Sequence, residues 1–328
     1  MFMYKSLSDL IGNTPMLELT RLALPPGIRL FAKLEFLNPG GSIKDRMVQY
    51  VLDEAERTGS ITKGATIVEA TSGNTGFAIA MMASARGYSV KLTIPDKISR
   101  EKRDALIALG AEIILCPSDA PLHSPEHYVN KARHLCENTI GCFTINQYDN
   151  PMNAEAHFHT TGPEIWSDMG GSVTAFVASG STGGTISGIG RYLKSKNDSI
   201  NIFLVDPIGS IFHSHFNGSD VKNAAGISSK IEGVGKEYIP LCMDFSVISD
   251  VIQFDDGDAI SMCHELAAKE GLLCGGSSGA NVWGCIEVAR NLKAPANIVT
   301  VLPDSGIKYL SKIYNQAWLG EYTNLSRE

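Results

Sequence analysis

The feature that most constrains the fold is a repeated alternation of short apolar runs with longer segments of helical period. The short runs are rich in β-branched and aliphatic residues and are typical of strands. They lie at 28–35, 65–69, 89–94, 112–116, 174–178, 200–205 and 297–302. The helical segments lie at 44–57, 74–86, 100–109, 153–166, 185–194, 256–270 and 280–291. This order predicts an α/β protein with mostly parallel sheets.

Length and charge limit the class of protein further. A chain of 328 residues is long enough for about two domains. Its net charge of −7 and its lack of a basic block argue against nucleic acid as a partner. There is no uninterrupted apolar run of about 18 residues, so we expect no membrane partner and a cytoplasmic protein.

The cysteines and histidines predict neither a metal site nor a disulfide framework. The seven cysteines are odd in number and widely spaced, without a CxxC pair, so we expect reduced and mostly structural thiols. The histidines at positions 123, 127, 157 and 159 have no supporting cluster of cysteines or carboxylates, so we expect structural histidines and no metal.

Four polar junctions lie where a predicted strand leads into a predicted helix, which is where parallel sheets bind ligands. In the first, 38–46, Pro and paired Gly predict a tight turn with Ser42 as the helix N-cap. Lys44 would then lie in the first helical turn beside Arg46, where positive charge is disfavoured and a neutral amine suited to imine chemistry is favoured. Alone, this segment is equally compatible with a solvated surface lysine.

The second and third junctions are rich in glycine and hydroxyl groups. Residues 69–76 place five polar or small residues at a helix N-terminus, which suits a carboxylate and exceeds what an ordinary N-cap needs. Residues 179–188 form a cradle for phosphate, but they lack both the Gly-Lys-Ser/Thr of a P-loop and the G-x-G-x-x-G order of a dinucleotide site. A single isolated phosphate, as on pyridoxal phosphate, fits better.

In the fourth junction, 275–279, Ser277 could be a helix N-cap or could bond a pyridine nitrogen. Together, the four junctions resemble those of the cysteine synthase and cystathionine β-synthase family of pyridoxal 5′-phosphate (PLP) enzymes. The resemblance extends from 11–15 to 302–306. It implies PLP fold type II, with two three-layer α/β domains: a larger PLP-binding domain (1–40 plus 150–328) and a smaller, mobile, substrate-closing domain (41–149).

The resemblance also implies roles for individual residues. Lys44 would carry the cofactor as a Schiff base, Asn74 would bind its ring hydroxyl, and Ser277 would face its pyridine nitrogen. The phosphate loop corresponds to Ser181, Thr182, Gly183, Gly184 and Thr185, with Ser181 where the family commonly has glycine. The clamp on the substrate carboxylate corresponds to Thr71, Ser72, Gly73, Thr75 and Gln147.

A serine at the pyridine nitrogen has a chemical consequence. A carboxylate there would keep the nitrogen protonated and the ring a strong electron sink, whereas a neutral hydroxyl would not. Ser277 therefore favours elimination and addition at the β-carbon over transamination. Lys44 would remove and return the α-proton.

Features within the family point in two directions. Tyr148, Glu232, 274–277 and 303–305 are more typical of cystathionine β-synthase, whereas 160–166 resembles cysteine synthase. Glu232 would accept the ammonium of a homocysteine-like substrate or activate water, unless it is a solvated turn carboxylate. We therefore expect Lys44, Glu232 and Tyr148 to be the catalytic residues.

The resulting hypothesis is β-replacement on serine, O-acetylserine or O-phosphoserine with a thiol or sulfide nucleophile. An amine nucleophile, as in synthases of diaminopropionate precursors, and a cysteine lyase releasing hydrogen sulfide are the alternatives. A binding protein without turnover is disfavoured, because Lys44 and the Asn74 loop are intact. We expect amino-acid substrates and a homodimer, with neither a haem-binding extension before Leu10 nor a regulatory module after Trp318.

Overall fold

The computed structural model describes residues 4–71, 73–121, 123–219 and 229–322. The chain folds into two compact units. Unit 1 comprises Met1–Ile11 and Asn38–Asn153, and unit 2 comprises Gly12–Leu37 and Ala154–Glu328. Each unit contains its own sheet, and strands and helices are numbered below in chain order.

Unit 1 is built on a parallel four-stranded sheet in the order β5-β4-β3-β6. Its strands are β3 (Thr66–Ala70), β4 (Ser89–Pro95), β5 (Glu112–Cys116) and β6 (Cys142–Phe143). Its helices are α1 (Lys44–Thr58), α2 (Asn74–Arg86), α3 (Arg100–Ala108) and α4 (Tyr128–Glu137), with a 3-10 turn at Leu7–Leu10. Helix α1 packs against α2, and α4 packs against β3 and β4.

Unit 2 is built on a six-stranded sheet in the order β1-β2-β10-β7-β8-β9. Its strands are β1 (Met16–Glu18), β2 (Ile28–Lys33), β7 (Ala175–Ser179), β8 (Asn201–Pro207), β9 (Asp250–Phe254) and β10 (Ala296–Val301). Strand β1 runs antiparallel to β2, and the neighbouring pairs β2–β10, β10–β7, β7–β8 and β8–β9 are parallel.

Seven helices accompany this second sheet in the described residues. They are α5 (Met152–His159), α6 (Thr161–Asp168), α7 (Gly184–Lys196), α8 (Ile211–Phe216), α9 (Asp256–Glu265), α10 (Gly276–Ala289) and α11 (Gln316–Tyr322). A π-helical turn continues α9 over Leu266–Glu270, and 3-10 turns lie at Glu35–Leu37, Phe245–Val247 and Gly306–Tyr309. None of the helices in the described ranges is long and apolar enough to cross a membrane.

The central strands are buried on both faces, which explains their continuous apolar runs. Four of the five residues of β7 are buried, and so are Ile67, Val68 and Leu92 in unit 1. Helix α10 covers β7, β8 and β10 and packs closely on α9. A Cβ at Gly279 would collide with the carbonyl of Ala259, so this close packing requires glycine.

The predicted helix 153–166 is interrupted, and several elements were missed. Thr160 leaves helical geometry at φ −123°, and Pro163 follows in the first turn of α6, where its missing amide is tolerated. Strands β1 and β6 have only three and two residues, too few to show a period. Strand β9 carries two exposed polar residues, and helices α4, α8 and α11 were also not predicted.

The expectation of wholly reduced cysteines is wrong for one pair. Cys136 and Cys142 form a disulfide, whereas the other five cysteines are buried thiols. The two partners are six residues apart, at the last turn of α4 and the first residue of β6. A short connection that reverses direction between these elements brings the side chains together, and the spacing alone carried no recognisable signal.

Candidate active site

Lys44 is the first residue of α1, and its side chain is partly buried. Buried Asp45 fixes the preceding turn by accepting a 2.6 Å hydrogen bond from the backbone amide of Gly40. A Cβ on Gly40 would collide with this carboxylate, so the turn requires glycine there. This contact therefore ties the turn to the first residues of the helix that carries Lys44.

Ser42 does not have the predicted capping role. The N-cap of α1 is Ile43, and the hydroxyl of Ser42 accepts a 3.3 Å hydrogen bond from the backbone amide of Lys44. The N-cap therefore lies one residue later than predicted, because Gly41 adopts φ +71° and donates to the carbonyl of Asn38 at 2.7 Å, tightening the turn.

The predicted substrate loop connects β3 to α2 in unit 1. Asn74 is the first residue of α2, with Gly73 as its N-cap, and both are partly buried. Thr71 is buried; its hydroxyl accepts from the amide of Gly73 at 3.4 Å, and its own amide donates to Thr93 at 3.2 Å. Ser72, also predicted to bind substrate, lies outside the described residues.

Two predicted substrate residues that are distant in sequence are in direct contact. The hydroxyl of Thr75 donates to Oε1 of Gln147 at 2.8 Å, and both side chains are buried. The amide of Asn153 in turn donates to the backbone carbonyl of Gln147 at 2.7 Å. Unit 1 thus brings Gln147 to the N-terminal turn of α2, where the rest of the loop lies.

The buried carboxylate of Glu69 holds the segment that carries Gln147. Its Oε2 accepts hydrogen bonds from the hydroxyl of Thr144 (2.8 Å) and from the backbone amides of Ile145 (3.0 Å) and Asn146 (3.1 Å). Burial raises the pKa of Glu69, while these donors oppose the rise. Sequence reasoning gave Glu69 no role of its own, although a carboxylate closing an apolar strand was a usable signal.

Tyr148 lies in a different environment from Gln147. It is partly buried and lines a cavity of about 600 Å³ within unit 1, together with Ala70 and Asn146. Of the catalytic residues predicted in unit 1, Lys44 therefore lies at the start of α1 and Tyr148 at this cavity.

The predicted phosphate loop of unit 2 leads directly into α7. Gly183 is the N-cap with φ +83°, and a Cβ there would lie 2.6 Å from the Cα of Met243. The hydroxyl of buried Thr182 accepts from the amide of Gly184 at 3.3 Å, and Ser181 is partly buried. A helix N-terminus opened by glycine and flanked by hydroxyl groups is a favourable site for an isolated phosphate.

His157 supports this loop from α5. Its Nε2 lies 3.1 Å from the hydroxyl of Thr185, and its Nδ1 lies 2.8 Å from the hydroxyl of Thr161. The residue is only 1% exposed. Sequence reasoning treated it as a structural histidine, because nothing in the pattern indicated that its partner would be the phosphate loop.

Ser277 lies at the start of α10 and is buried. One turn later, buried Asn281 accepts from the backbone amide of Ser179 at 2.6 Å and donates to the carbonyl of Val301 at 2.9 Å. Asn281 therefore fixes the beginning of the phosphate loop relative to the helix of Ser277. It was missed because an asparagine inside a helical period has no sequence signature.

Glu232 is paired with a cation in unit 2. Its Oε1 lies 2.6 Å from Nζ of Lys312, and both side chains are partly exposed. The segment that carries it contacts the phosphate loop, because the amide of Gly235 donates to the carbonyl of Gly180 at 2.7 Å. Ile231 of the same segment packs on Gly276, immediately before Ser277.

These residues fit PLP chemically. Unit 1 offers a partly buried lysine at a helix start, and unit 2 offers a hydroxyl-rich glycine loop at the N-terminus of a 13-residue helix. Met243 would collide with a side chain at Gly183, so the backbone there is kept free to approach a phosphate. Within unit 1, Lys44 and Asn74 offer an amine and an amide suited to PLP, and within unit 2, 181–185 and Ser277 offer hydroxyl groups and backbone amides suited to it.

Comparison with known proteins identifies the family. The model of the family described as "Pyridoxal-phosphate dependent enzyme" matches residues 7–304. The chain therefore belongs to this family of PLP-dependent enzymes. The predictions of an α/β fold of PLP fold type II, of a PLP enzyme and of pyridoxal 5′-phosphate as cofactor are confirmed.

Within this family, the chain is similar to curated cystathionine β-synthases and cysteine synthases. The chain is 41% identical over 311 residues to a cystathionine β-synthase of Apis mellifera, covering 94% of this chain but 61% of the relative. It spans 55% of the length of the rat cystathionine β-synthase that it matches. It is 38% identical over 322 residues to a cysteine synthase of Dictyostelium discoideum, covering 96% of this chain and 85% of the relative.

Solved structures agree with this grouping. An O-acetylserine dependent cystathionine β-synthase from Helicobacter pylori matches with a TM-score of 0.87 and 36% identity, covering 96% of this chain and all of the other. A hydrogen sulfide-producing enzyme from Fusobacterium nucleatum matches with a TM-score of 0.85 and 36% identity, covering 94% of this chain and all of the other.

We predict that His157→Leu weakens PLP binding about fivefold, because the hydroxyl of Thr185 loses its buried partner. His159→Leu is the matched control, since His159 is half-exposed and contacts the surface residue Glu155. Titration of the apoenzyme with PLP measures the effect. Unchanged affinity in His157→Leu would show that the histidine does not support the loop.

Proposed function

We propose that this protein catalyses PLP-dependent β-replacement on serine or an O-activated serine, O-acetylserine or O-phosphoserine, with a thiol or sulfide as nucleophile. The observation that carries the proposal is the buried contact between Thr75 and Gln147. These residues come from segments 72 positions apart, and their groups suit a substrate carboxylate. The names of the relatives, cystathionine β-synthase and cysteine synthase, describe this type of reaction and support the same proposal.

In this proposal, unit 1 binds the amino acid. The hydroxyls of Thr71, Ser72 and Thr75, the amide side chain of Gln147 and the backbone at Gly73 hold its carboxylate. Glu69 keeps Gln147 in position through its hydrogen bonds to the three preceding residues. The substrate is therefore oriented by preformed hydrogen bonds, so less entropy is lost when it reacts.

Lys44 acts at the α-carbon and Ser277 at the cofactor ring. PLP, when bound, supplies the electron sink that makes the α-proton acidic. The amine of Lys44 removes this proton and later returns it to the same carbon. Between these steps the leaving group departs from the β-carbon with its bonding electrons, and the nucleophile adds there. When PLP is bound, the neutral hydroxyl of Ser277 would hold the cofactor ring by a hydrogen bond without protonating the pyridine nitrogen, which would favour β-replacement over transamination.

Glu232 and Tyr148 are proposed to act on the second substrate. Glu232 can accept the ammonium of an amino-acid thiol if it exchanges Lys312 for this new partner. Tyr148 follows Gln147 directly and would position the nucleophile with its hydroxyl. The role of Glu232 applies to homocysteine-like nucleophiles and not to sulfide, which carries no ammonium.

Domain roles and cellular context complete the proposal. We propose that the larger domain, 1–40 plus 150–328, binds PLP and that the smaller domain, 41–149, moves to close over the substrate. The enzyme would work in cysteine biosynthesis as a cytoplasmic homodimer. Closure would exclude water and so protect reactive species from hydrolysis.

A cysteine lyase that releases hydrogen sulfide is the second candidate. The observation that favours it is the match, over 94% of this chain, to a structure described as a hydrogen sulfide-producing enzyme. In this reaction sulfide departs from the β-carbon of cysteine in place of acetate, phosphate or water, and water or another thiol then adds at that carbon. An amine nucleophile is the third possibility, and the assay below distinguishes it.

The test crosses serine, O-acetylserine, O-phosphoserine and cysteine with sulfide, homocysteine and an amine nucleophile. We expect product with a thiol or sulfide from at least one serine derivative, and none in Lys44→Ala. Lys63→Ala, which changes an exposed lysine in the same unit, is the control and should retain activity. Turnover with the amine alone would favour a β-replacement with an amine nucleophile in place of the proposal. Release of hydrogen sulfide from cysteine as the sole activity would favour a cysteine lyase.

Glu232→Gln should raise the KM for homocysteine about tenfold, because a neutral amide cannot form a charge-assisted bond to its ammonium. The KM for sulfide should change by less than about twofold, since no ammonium is involved. Lys312→Met is the matched control: it removes the other half of the ion pair and leaves Glu232 in place. Equal effects of Glu232→Gln on both nucleophiles would contradict the assigned role.

A further inference from the structure

A second feature of unit 1 is the cavity of about 600 Å³ that Tyr148 lines. One wall is formed by α4, and the opposite side is formed by β3, β6 and the residues that follow β6. The wall contains apolar residues, including Val68, Val129 and Ala132. A space of this size admits small organic molecules.

The only disulfide in the described residues lies in the wall of this cavity. Cys136 and Cys142 both line it, and both are partly buried. The five other cysteines are buried. A small molecule in the cavity therefore lies beside the two residues of this pair, whereas the other thiols are buried. Arg133, one turn before Cys136, also lines the cavity, together with the acidic residues Glu69 and Glu137.

The disulfide is directly connected to the substrate clamp through the chain. Cys142 begins β6, a strand of two residues, and pairs with Thr66 of β3. The next residues, 144–146, are those that Glu69 holds, and Gln147 follows. Strand β6 has only two residues, so few backbone hydrogen bonds hold it at the edge of the sheet. The disulfide to α4 is therefore a major constraint on the position at which 142–147 begins.

We propose that the Cys136–Cys142 disulfide is a redox site for small thiols that enter this cavity, and that its reduction loosens the hold of Gln147 on the substrate carboxylate. The second half of this inference rests on the proposed function, whereas the first half does not. Thiols are also the nucleophile class of the proposed reaction. The pair would therefore link substrate binding to the supply of thiols.

The chemistry is two successive thiol–disulfide exchanges. A thiolate attacks one sulfur of the pair, forms a mixed disulfide with it, and releases the other cysteine as a thiolate. A second thiolate attacks the mixed disulfide and releases the first cysteine. Two small thiols are oxidised to their disulfide, and the two electrons reduce Cys136 and Cys142.

The first measurement counts thiols in the holoenzyme. Protein prepared without reductant should show five titratable thiols per chain after denaturation, and seven after treatment with dithiothreitol and its removal. The treatment is applied to the folded protein, so that reduction requires access through the cavity. Seven thiols before treatment, or a pair that is reduced only after unfolding, would overturn the proposal.

The second measurement compares the oxidised and reduced holoenzymes. Amide hydrogen exchange of a peptide covering 142–148 should become about fivefold faster on reduction, and the apparent Kd for O-acetylserine, followed through the cofactor's absorbance, should rise by about the same factor. Unchanged exchange would overturn the coupling. Faster exchange without binding of any serine derivative would leave the redox site standing and reject the proposed function.

Variants separate the disulfide from general effects of reductant. The double variant Cys136→Ser, Cys142→Ser should exchange like the reduced protein and should not respond to dithiothreitol. Cys116→Ser, which changes a buried thiol in the same unit, should respond as the parent does. A double variant that still responds to reductant would contradict the assignment, and the untreated parent provides the comparison if this variant folds poorly.

Discussion

The geometry of the proposed substrate site depends on one buried carboxylate, that of Glu69. A buried carboxylate is costly unless donors satisfy it, and here one hydroxyl and two backbone amides point at the same oxygen. These donors belong to consecutive residues, so the carboxylate fixes the path of the chain over 144–146. Gln147 follows immediately and reaches Thr75 at the start of α2.

In unit 2, neutral buried side chains hold the backbone in the same way. Buried Asn281 satisfies a backbone donor at the end of β7 and a backbone acceptor at the end of β10. At the other end of the phosphate loop, His157 lies within hydrogen-bond distance of the hydroxyls of Thr185 and Thr161 and so links the loop to α6. In both units, buried polar side chains hold the loops at the carboxyl ends of parallel strands.

The sequence predicted the central strands and most helices of both units, because strands buried on both faces carry strong continuous signals. It also indicated the Thr71–Thr75 and Ser181–Thr185 loops, since glycine and hydroxyl residues at strand ends have a local chemical reason. It could not indicate Asn281, His157 or the pair Cys136–Cys142. Their partners are distant in sequence or joined by a turn without signature, so only the folded chain shows them.

The central claim is that Lys44, which its local sequence did not distinguish from a surface lysine, carries the cofactor. Reduction of the holoenzyme with borohydride fixes PLP to the lysine that holds it, and peptide mapping by mass spectrometry then locates the label. The account predicts a pyridoxyl group on the peptide that contains Lys44 and on no other. A label on a different lysine, or a holoenzyme that cannot be labelled at all, would contradict it.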